Sequence, residues 1–153
     1  MRLGRTITLL FAAVVAMLCV TAPVSASAEP VYLWIVKSKW RGYKCLDQNS
    51  TDGVHLRDCN GGDWQYWVPT WYSDGTVRLM NYATKYCLDA SEHGVRYWGC
   101  NDLPYQRWKV NYWGDSEWEF VNQWDHHCLD VSEFGIRTIG CNGMDYQRWW
   151  RNV

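Results

Sequence analysis

The sequence predicts an all-β domain built from three repeated units around a shared axis. One motif occurs three times, beginning with Cys-Leu-Asp and ending with an aromatic residue, Gln, any residue and Trp. The glutamines of the endings, Gln65, Gln106 and Gln147, are spaced 41 positions apart. Short segments between the motifs alternate apolar and polar residues, as half-buried strands do. A unit of this length cannot bury its apolar face alone, so we expect the three units to close together.

The alternation is clearest in the second unit, where residues 77–80 and 95–98 are predicted strands. In the second of these strands, Val95 and Tyr97 should face the core and Trp98 should face outward. No stretch beyond the first 28 residues has an apolar period of 3.6 residues, so helices are not expected. Turn-forming residues separate the predicted strands at Ser73-Asp74-Gly75, Glu92-His93-Gly94 and Trp113-Gly114-Asp115.

The first 28 residues have the layout of an export signal. Arg2 and Arg5 precede an apolar run over residues 7–20, and small residues lead up to Ala28. This run is short for a membrane span, so we expect a signal peptide cleaved near Ala28 and a secreted protein. Removing 28 of the 153 residues leaves 125, one domain over residues 29–153. Its repeats are expected at about 31–73, 74–114 and 115–153.

The composition of residues 29–153 excludes several classes of protein. The segment has 13 basic and 16 acidic residues, so its net charge of about −3 disfavours nucleic-acid binding. It has no second long apolar run, so membrane insertion is not expected. Its 24 aromatic residues are more than one small core needs. Some of these rings should therefore face outward, as a binding surface requires.

Six of the seven cysteines lie beyond the predicted signal, two in each repeat. In an exported chain, six cysteines indicate three disulfides rather than a metal site. Fifteen pairings are formally possible for six cysteines. The simplest one that the repeat suggests joins Cys45 to Cys59, Cys87 to Cys100 and Cys128 to Cys141.

The triple Cys-Leu-Asp, the second Cys and the triple Gln-x-Trp resemble the ricin B-type β-trefoil lectins over essentially all of residues 31–153. The segment from Cys59 to Trp67 is similar to the compact actinohivin-type members. The resemblance implies a β-trefoil with pseudo-threefold symmetry, in which the Gln and Trp of each ending lie in the core. These core residues are Gln65, Trp67, Gln106, Trp108, Gln147 and Trp149.

The resemblance also implies one shallow sugar-binding groove in each repeat. The Asp after Cys-Leu forms the floor, an aromatic residue two positions before the second Cys forms the wall, and a polar residue after that Cys assists. The second repeat matches fully with Asp89, Trp98 and Asn101, so we rank its groove first. The other two keep the acid and the amide but not the aromatic wall: Asp47 and Asn60 with Arg57, and Asp130 and Asn142 with Ile139.

The chemistry of these residue types suits a sugar. A carboxylate accepts hydrogen bonds from adjacent hydroxyls, an amide both donates and accepts, and an aromatic face covers the C–H bonds of a pyranose. Two positions before the wall lie His55, Arg96 and Arg137. An arginine there could hold the neighbouring Asp in place or block the groove. Tyr105, Tyr146 and Trp64 could line the groove or pack beneath it.

Three functions stay open at this point: a secreted lectin without catalysis, a targeting subunit of a separately encoded toxin or hydrolase, and a β-trefoil protease inhibitor. The sequence has no nucleophile–base pair, metal-ligand set or phosphate loop, so neither an enzyme nor a cofactor is expected. We expect Asp125-His126-His127 to be a solvated turn rather than a metal site, since no other repeat has it. Asn49-Ser50-Thr51 matches a glycosylation sequon. Galactose-type and mannose-type sugars both remain possible ligands.

Overall fold

The computed structural model describes residues 32–152, and the predicted export signal lies outside these residues. No helix in this part of the chain is long and apolar enough to cross a membrane. Its strands are β1 (Trp34–Ser38), β2 (Cys45–Asn49), β3 (Gly53–Arg57), β4 (Tyr66–Trp71), β5 (Thr76–Asn81), β6 (Cys87–Ser91), β7 (Gly94–Trp98), β8 (Trp108–Gly114), β9 (Glu117–Asn122), β10 (Cys128–Ser132), β11 (Gly135–Ile139) and β12 (Trp149–Arg151). Single-turn 3-10 helices span Asp63–Gln65, Pro104–Gln106 and Asp145–Gln147.

The strands form a β-trefoil, which confirms the predicted fold. β1, β4, β5, β8, β9 and β12 pair antiparallel in a closed ring, because β12 also pairs with β1. This closure leaves the barrel without a free edge. The remaining strands form three hairpins, β2–β3, β6–β7 and β10–β11. β3, β7 and β11 contact one another and cover one end of the barrel.

The tryptophans of the three Gln-x-Trp endings form the centre of the core, and none of them is exposed. In the third repeat, the Trp149 indole N–H donates to the Leu129 carbonyl oxygen at 2.9 Å. The same bond measures 3.0 and 3.3 Å in the other two repeats. A buried indole needs an acceptor, so this bond satisfies the Trp and ties each repeat's last strand to its hairpin.

Two local expectations differ from the structure. Val95 packs against the core as predicted, but Tyr97 packs against Tyr86, with ring centroids 5.4 Å apart, rather than entering the core. β7 lies over the end of the barrel at this point, so the side of β7 that faces the barrel is only partly shielded from solvent. The turn expected at 113–115 begins later, because an irregularity between Tyr112 and Gly114 extends β8 through Gly114.

The three disulfides join the predicted partners, one in each repeat. Each bridge connects the first residue of a hairpin's first strand to the loop that follows the second strand. Each bridge closes a short loop. Because the bridge restricts the unfolded chain, closing a loop of this length stabilises the fold by roughly 3 kcal/mol. The pairs are Cys45–Cys59, Cys87–Cys100 and Cys128–Cys141.

A half-buried ion cluster joins the first and third repeats around Glu117. Lys39 Nζ lies 2.7 Å from Glu117 Oε1, and Arg148 Nη1 lies 3.0 Å from Glu117 Oε2. Burial alone would raise the pKa of Glu117, but the hydrogen bonds from Lys39 and Arg148 outweigh it and lower that pKa below its ordinary value. The charged carboxylate is therefore the stable form at this seam.

We expect Glu117→Gln to destabilise the protein at neutral pH and to do so less in acid. Because folding lowers the pKa of Glu117, its charge stabilises the fold fully above the ordinary value, and this contribution is lost as the pH falls through the folded-state pKa. Urea unfolding at neutral and acidic pH measures the difference between the two proteins. Glu133→Gln, at an exposed hairpin tip, is the control. A difference that widened in acid would contradict the assignment.

We also expect Trp149→Phe to lower the free energy of unfolding by at least about 1–3 kcal/mol, because the buried Leu129 carbonyl loses its donor. The smaller ring adds a cavity term. Chemical denaturation measures the loss. Trp150→Phe makes the same change at the next, half-buried position and should cost less. Equal losses at the two positions would show that the indole hydrogen bond contributes nothing.

Candidate functional site

Each repeat places its predicted acid on the first strand of a hairpin. On the second strand, directly opposite the acid, lies the histidine or arginine found two positions before the predicted wall residue. In the second repeat, Asp89 pairs in register with Arg96 across a turn that ends at Gly94, whose φ is +82°. The equivalent pairs in the other repeats are Asp47 with His55 and Asp130 with Arg137. Cross-strand neighbours point to the same face of a hairpin, so these side chains meet.

The core glutamine shapes the loop beside each hairpin. In the third repeat, Gln147 accepts the Asn142 backbone N–H at 2.8 Å and donates to the Gly140 carbonyl at 3.1 Å. The Asn142 side-chain oxygen in turn accepts the backbone N–H of Met144 at 3.0 Å. The first and second repeats repeat these bonds around Gln65 and Gln106. The loop asparagine is therefore held by its oxygen, and its amide N–H₂ group is left for other partners.

In the second repeat the predicted acid is sealed by protein donors. Asp89 is 1% exposed; its Oδ1 accepts from Arg96 Nε at 2.9 Å and its Oδ2 from Gln106 Nε2 at 3.1 Å. The Arg96 guanidinium lies 4.6 Å from the ring centroid of Trp98, which is 53% exposed. Arg96 thus holds the acid, which is one of the two roles that the sequence left open, and it also lies over the predicted wall.

The third repeat brings most of its predicted residues around one groove of about 320 Å³. Asp130 is 1% exposed, and its Oδ1 accepts from Arg137 Nε at 3.0 Å. Ser132 and Glu133 also line this groove, and sequence reasoning did not single them out. The predicted residues that line it are Asp130, Arg137, Ile139, Asn142 and Tyr146.

The first repeat is arranged differently because histidine replaces arginine. Asp47 is 2% exposed, and its Oδ1 has no hydrogen-bond partner among the described residues. His55 Nε2 lies 3.5 Å from that oxygen. Arg57 and Trp64 line a separate groove of about 280 Å³ that does not include Asp47. The structure therefore does not bring the predicted floor and wall of this repeat together.

Packing explains the tyrosines that precede the core glutamines. Tyr105 packs on Trp124 with ring centroids 5.1 Å apart, and Tyr146 packs on Trp40 at 4.9 Å. Each partner ring comes from the repeat that follows around the axis. No repeated motif marked Trp40 or Trp124, so these contacts could not be read from the pattern. Tyr146 nevertheless also lines the third groove.

Comparison with known proteins agrees with this architecture. The family model described as the ricin-type β-trefoil lectin domain matches residues 33–149. No curated protein sequence matches the chain. The likeness to actinohivin-type members stays a prediction, as does the ranking of the second groove first.

Several solved structures have the same fold. ThreeFoil, a designed 3-fold symmetric protein, has a TM-score of 0.72 and 22% identity, with 79% of this chain and 98% of that chain covered. Hemolytic lectin CEL-III has a TM-score of 0.65 and 27% identity, with 81% and 31% covered. The Macrolepiota procera ricin B-like lectin, solved with lactose, has a TM-score of 0.66 and 13% identity, with 83% and 99% covered. For several others, the chain spans less than a third of the matched chain.

We expect Gln147→Leu to loosen the third groove, because the Asn142 N–H and the Gly140 carbonyl lose their partner. Two unsatisfied backbone groups should lower the free energy of unfolding by roughly 1–3 kcal/mol or more. Hydrogen exchange at the Asn142 amide should accelerate. Gln123→Leu is the matched control, since its side chain makes only an exposed bond to Asp74. An unchanged Asn142 exchange rate would refute the link between core and groove.

Proposed function

The chain belongs to the ricin-type β-trefoil lectin domain family, and from this premise we propose that it is a secreted lectin. It binds glycans through up to three shallow grooves and does not alter them. The observation that supports this proposal best is the third groove, where five residues singled out from the sequence line one cavity. Its volume of about 320 Å³ lies at the small end of ligand sites, which suits a single sugar residue.

The groove residues divide the work of holding a sugar. The guanidinium of Arg137 and the amide N–H₂ of Asn142 donate hydrogen bonds to sugar oxygens. Ile139 and the Tyr146 ring offer apolar contact to the C–H bonds of a pyranose. Asp130 acts from beneath by fixing the direction of Arg137. Asp130 is in this account a positioning residue, and the same holds for Asp89 beneath Arg96.

Three grooves on one closed barrel favour binding to clustered glycans. A shallow groove on one sugar binds weakly, because it buries little surface. The hairpins that form the grooves contact one another and each carries a disulfide, so the distances between the grooves are fixed. Branched or densely spaced glycans that match these distances gain avidity without any new contact.

The recurring acids do not form a catalytic pair. Glycoside hydrolysis commonly uses two carboxylates that flank one bond. Here each acid is almost fully buried, and Asp89 and Asp130 each accept a hydrogen bond from an arginine, so Glu133 is, among the described residues, the only accessible carboxylate that lines the third groove. This arrangement supports a binding role without chemistry.

A second candidate is a targeting subunit for a separately encoded toxin or hydrolase. It is favoured by the matches to longer chains, among them hemolytic lectin CEL-III, of which this chain spans 31%. In that case the grooves would bring a partner to a glycan surface. Co-purification of a secreted enzyme or toxin with the chain would favour this candidate, whereas full glycan binding by the isolated chain is common to both.

We expect immobilised glycan to retain the oxidised protein, and the triple variant Asp47→Ala, Asp89→Ala, Asp130→Ala to lose at least about tenfold in retention, since the groove cations lose their anchors. A glycan array measures binding and specificity together. Asp58→Ala, whose side chain is 87% exposed, is the control.

Removing buried acids also affects folding, so near-UV circular dichroism must show that the triple variant is folded. If it does not fold, the matched variant with Asn at the three positions keeps side-chain size and replaces it. A folded variant that bound sugar fully would disprove this site assignment.

A further inference from the structure

In the second and third repeats, a ligand meets an arginine rather than an acid. The Asp89 side chain is 1% exposed, whereas the Arg96 side chain above it is 31% exposed. Asp130 and Arg137 show the same contrast, 1% against 40%. The two carboxylates are sealed and the two guanidinium groups remain accessible. The group that a ligand meets at this point is therefore a guanidinium, whose charge is balanced by the buried acid beneath it.

The guanidinium groups keep most of their donors free. Each arginine uses its Nε to bind the acid, at 2.9 Å for Arg96 and 3.0 Å for Arg137. Among residues 32–152, no hydrogen bond to a protein acceptor involves the Nη groups of either side chain. Arginine has five N–H donors, so four remain on each guanidinium. Two of them on neighbouring nitrogens can bind both oxygens of a carboxylate.

The acceptors of the second repeat, in contrast, are already occupied. Asp89 Oδ2 accepts from Gln106, and the Asn101 side-chain oxygen accepts the Leu103 backbone N–H at 3.1 Å. The Asn101 amide N–H₂ is left as one more donor. A site with filled acceptors and free donors on a guanidinium fits a ligand group that only accepts hydrogen bonds, and charge-assisted bonds favour one that is negatively charged. A carboxylate has both properties, whereas a neutral hydroxyl has neither.

Both arginines also lie beside an exposed aromatic ring. The Arg96 guanidinium is 4.6 Å from the centroid of Trp98, and that of Arg137 is 5.6 Å from the centroid of Phe134, which is 77% exposed. Stacking on a ring holds the planar guanidinium in one orientation. The exposed part of the ring offers an apolar surface to a pyranose whose carboxylate reaches the guanidinium.

Two further charges act on these sites. Glu133 lines the third groove and repels an anion there. The equivalent Glu92 of the second repeat lies 3.6 Å from His93.

We propose that the second and third repeats select acidic glycans, and that the guanidinium groups of Arg96 and Arg137 bind the carboxylate of a uronic acid residue. This inference rests on the proposed lectin function and names its ligand class. The first repeat is the internal contrast, because His55 takes the place of the arginine and lies 3.5 Å from Asp47. That repeat offers no guanidinium at this position and should not share the preference.

The test compares oligosaccharides of a uronic acid with their methyl esters, which keep the shape of the sugar and remove the charge. Oligomers of galacturonic, glucuronic, mannuronic and guluronic acid make four such pairs, and neutral glycans complete the panel. We expect the oxidised protein to bind at least one free acid roughly tenfold or more tightly than its ester by calorimetry. This preference should weaken as salt is added.

Two double variants assign the preference to the arginines. The double variant Arg96→Gln, Arg137→Gln should abolish the preference for the free acid. The double variant Arg96→Lys, Arg137→Lys keeps a cation above each acid and should only reduce the preference. The lysine variant serves if the glutamine variant fails to fold. Lys109→Gln is the control, since Lys109 is an exposed cation on the barrel strand β8, outside both hairpins, and should leave the preference intact.

The outcomes separate this inference from the proposed function. Loss of the acid-over-ester preference in the arginine variants supports it. Equal binding of every acid and its ester, or binding of neutral glycans alone, overturns the inference and leaves the lectin function standing. A preference that persists in both variants also overturns it, because another group must then bind the carboxylate. Binding of no glycan in the panel overturns the lectin function as well.

Discussion

The structure depends on one repeated interaction, the pair of polar bonds that each Gln-x-Trp ending makes inside an apolar core. The indole N–H of each buried tryptophan reaches a leucine carbonyl of the Cys-Leu-Asp motif, and the glutamine holds the loop after the second cysteine. A tryptophan in this position without an acceptor would cost free energy, so the motif at one end of a repeat requires the motif at the other.

In the second repeat, the core glutamine also connects the core to the candidate site. Gln106 lies fully inside the protein, yet it donates to Asp89, which in turn orients Arg96 at the surface. A chain of two hydrogen bonds thus fixes the direction of a solvent-facing guanidinium from the barrel outward. Groups held by such packing lose little conformational entropy when a ligand binds, which is how a shallow groove can still be selective.

The fold was predictable because its sequence signals recur along the chain. Side-chain rotamers and local irregularities were not predictable. Three equally spaced copies of one motif predicted the trefoil and its disulfides, because the same local contacts recur in every copy. The alternation rule failed at Tyr97, since β7 covers the end of the barrel and Tyr86 lies beside it. The sequence already suggested that Arg96 could hold Asp89, but it did not show which of the two side chains remains exposed. That outcome depends on how the arginine folds over the acid, which no sequence period encodes.

An arginine above a buried acid changes which ligand groups a groove can bind, and the sequence alone does not show the extent of this change. An exposed carboxylate is an acceptor and selects for hydroxyl groups, which must then donate. Once Arg96 Nε binds that carboxylate, the same position becomes a donor with a positive charge, while the acid keeps only the task of holding it. In the first repeat, His55 Nε2 lies 3.5 Å from Asp47 Oδ1 and that position offers no guanidinium, so this exchange does not occur there. Three hairpins with one repeated pattern therefore present two kinds of surface, and under the proposed function this difference suits glycans that carry both neutral and acidic sugars.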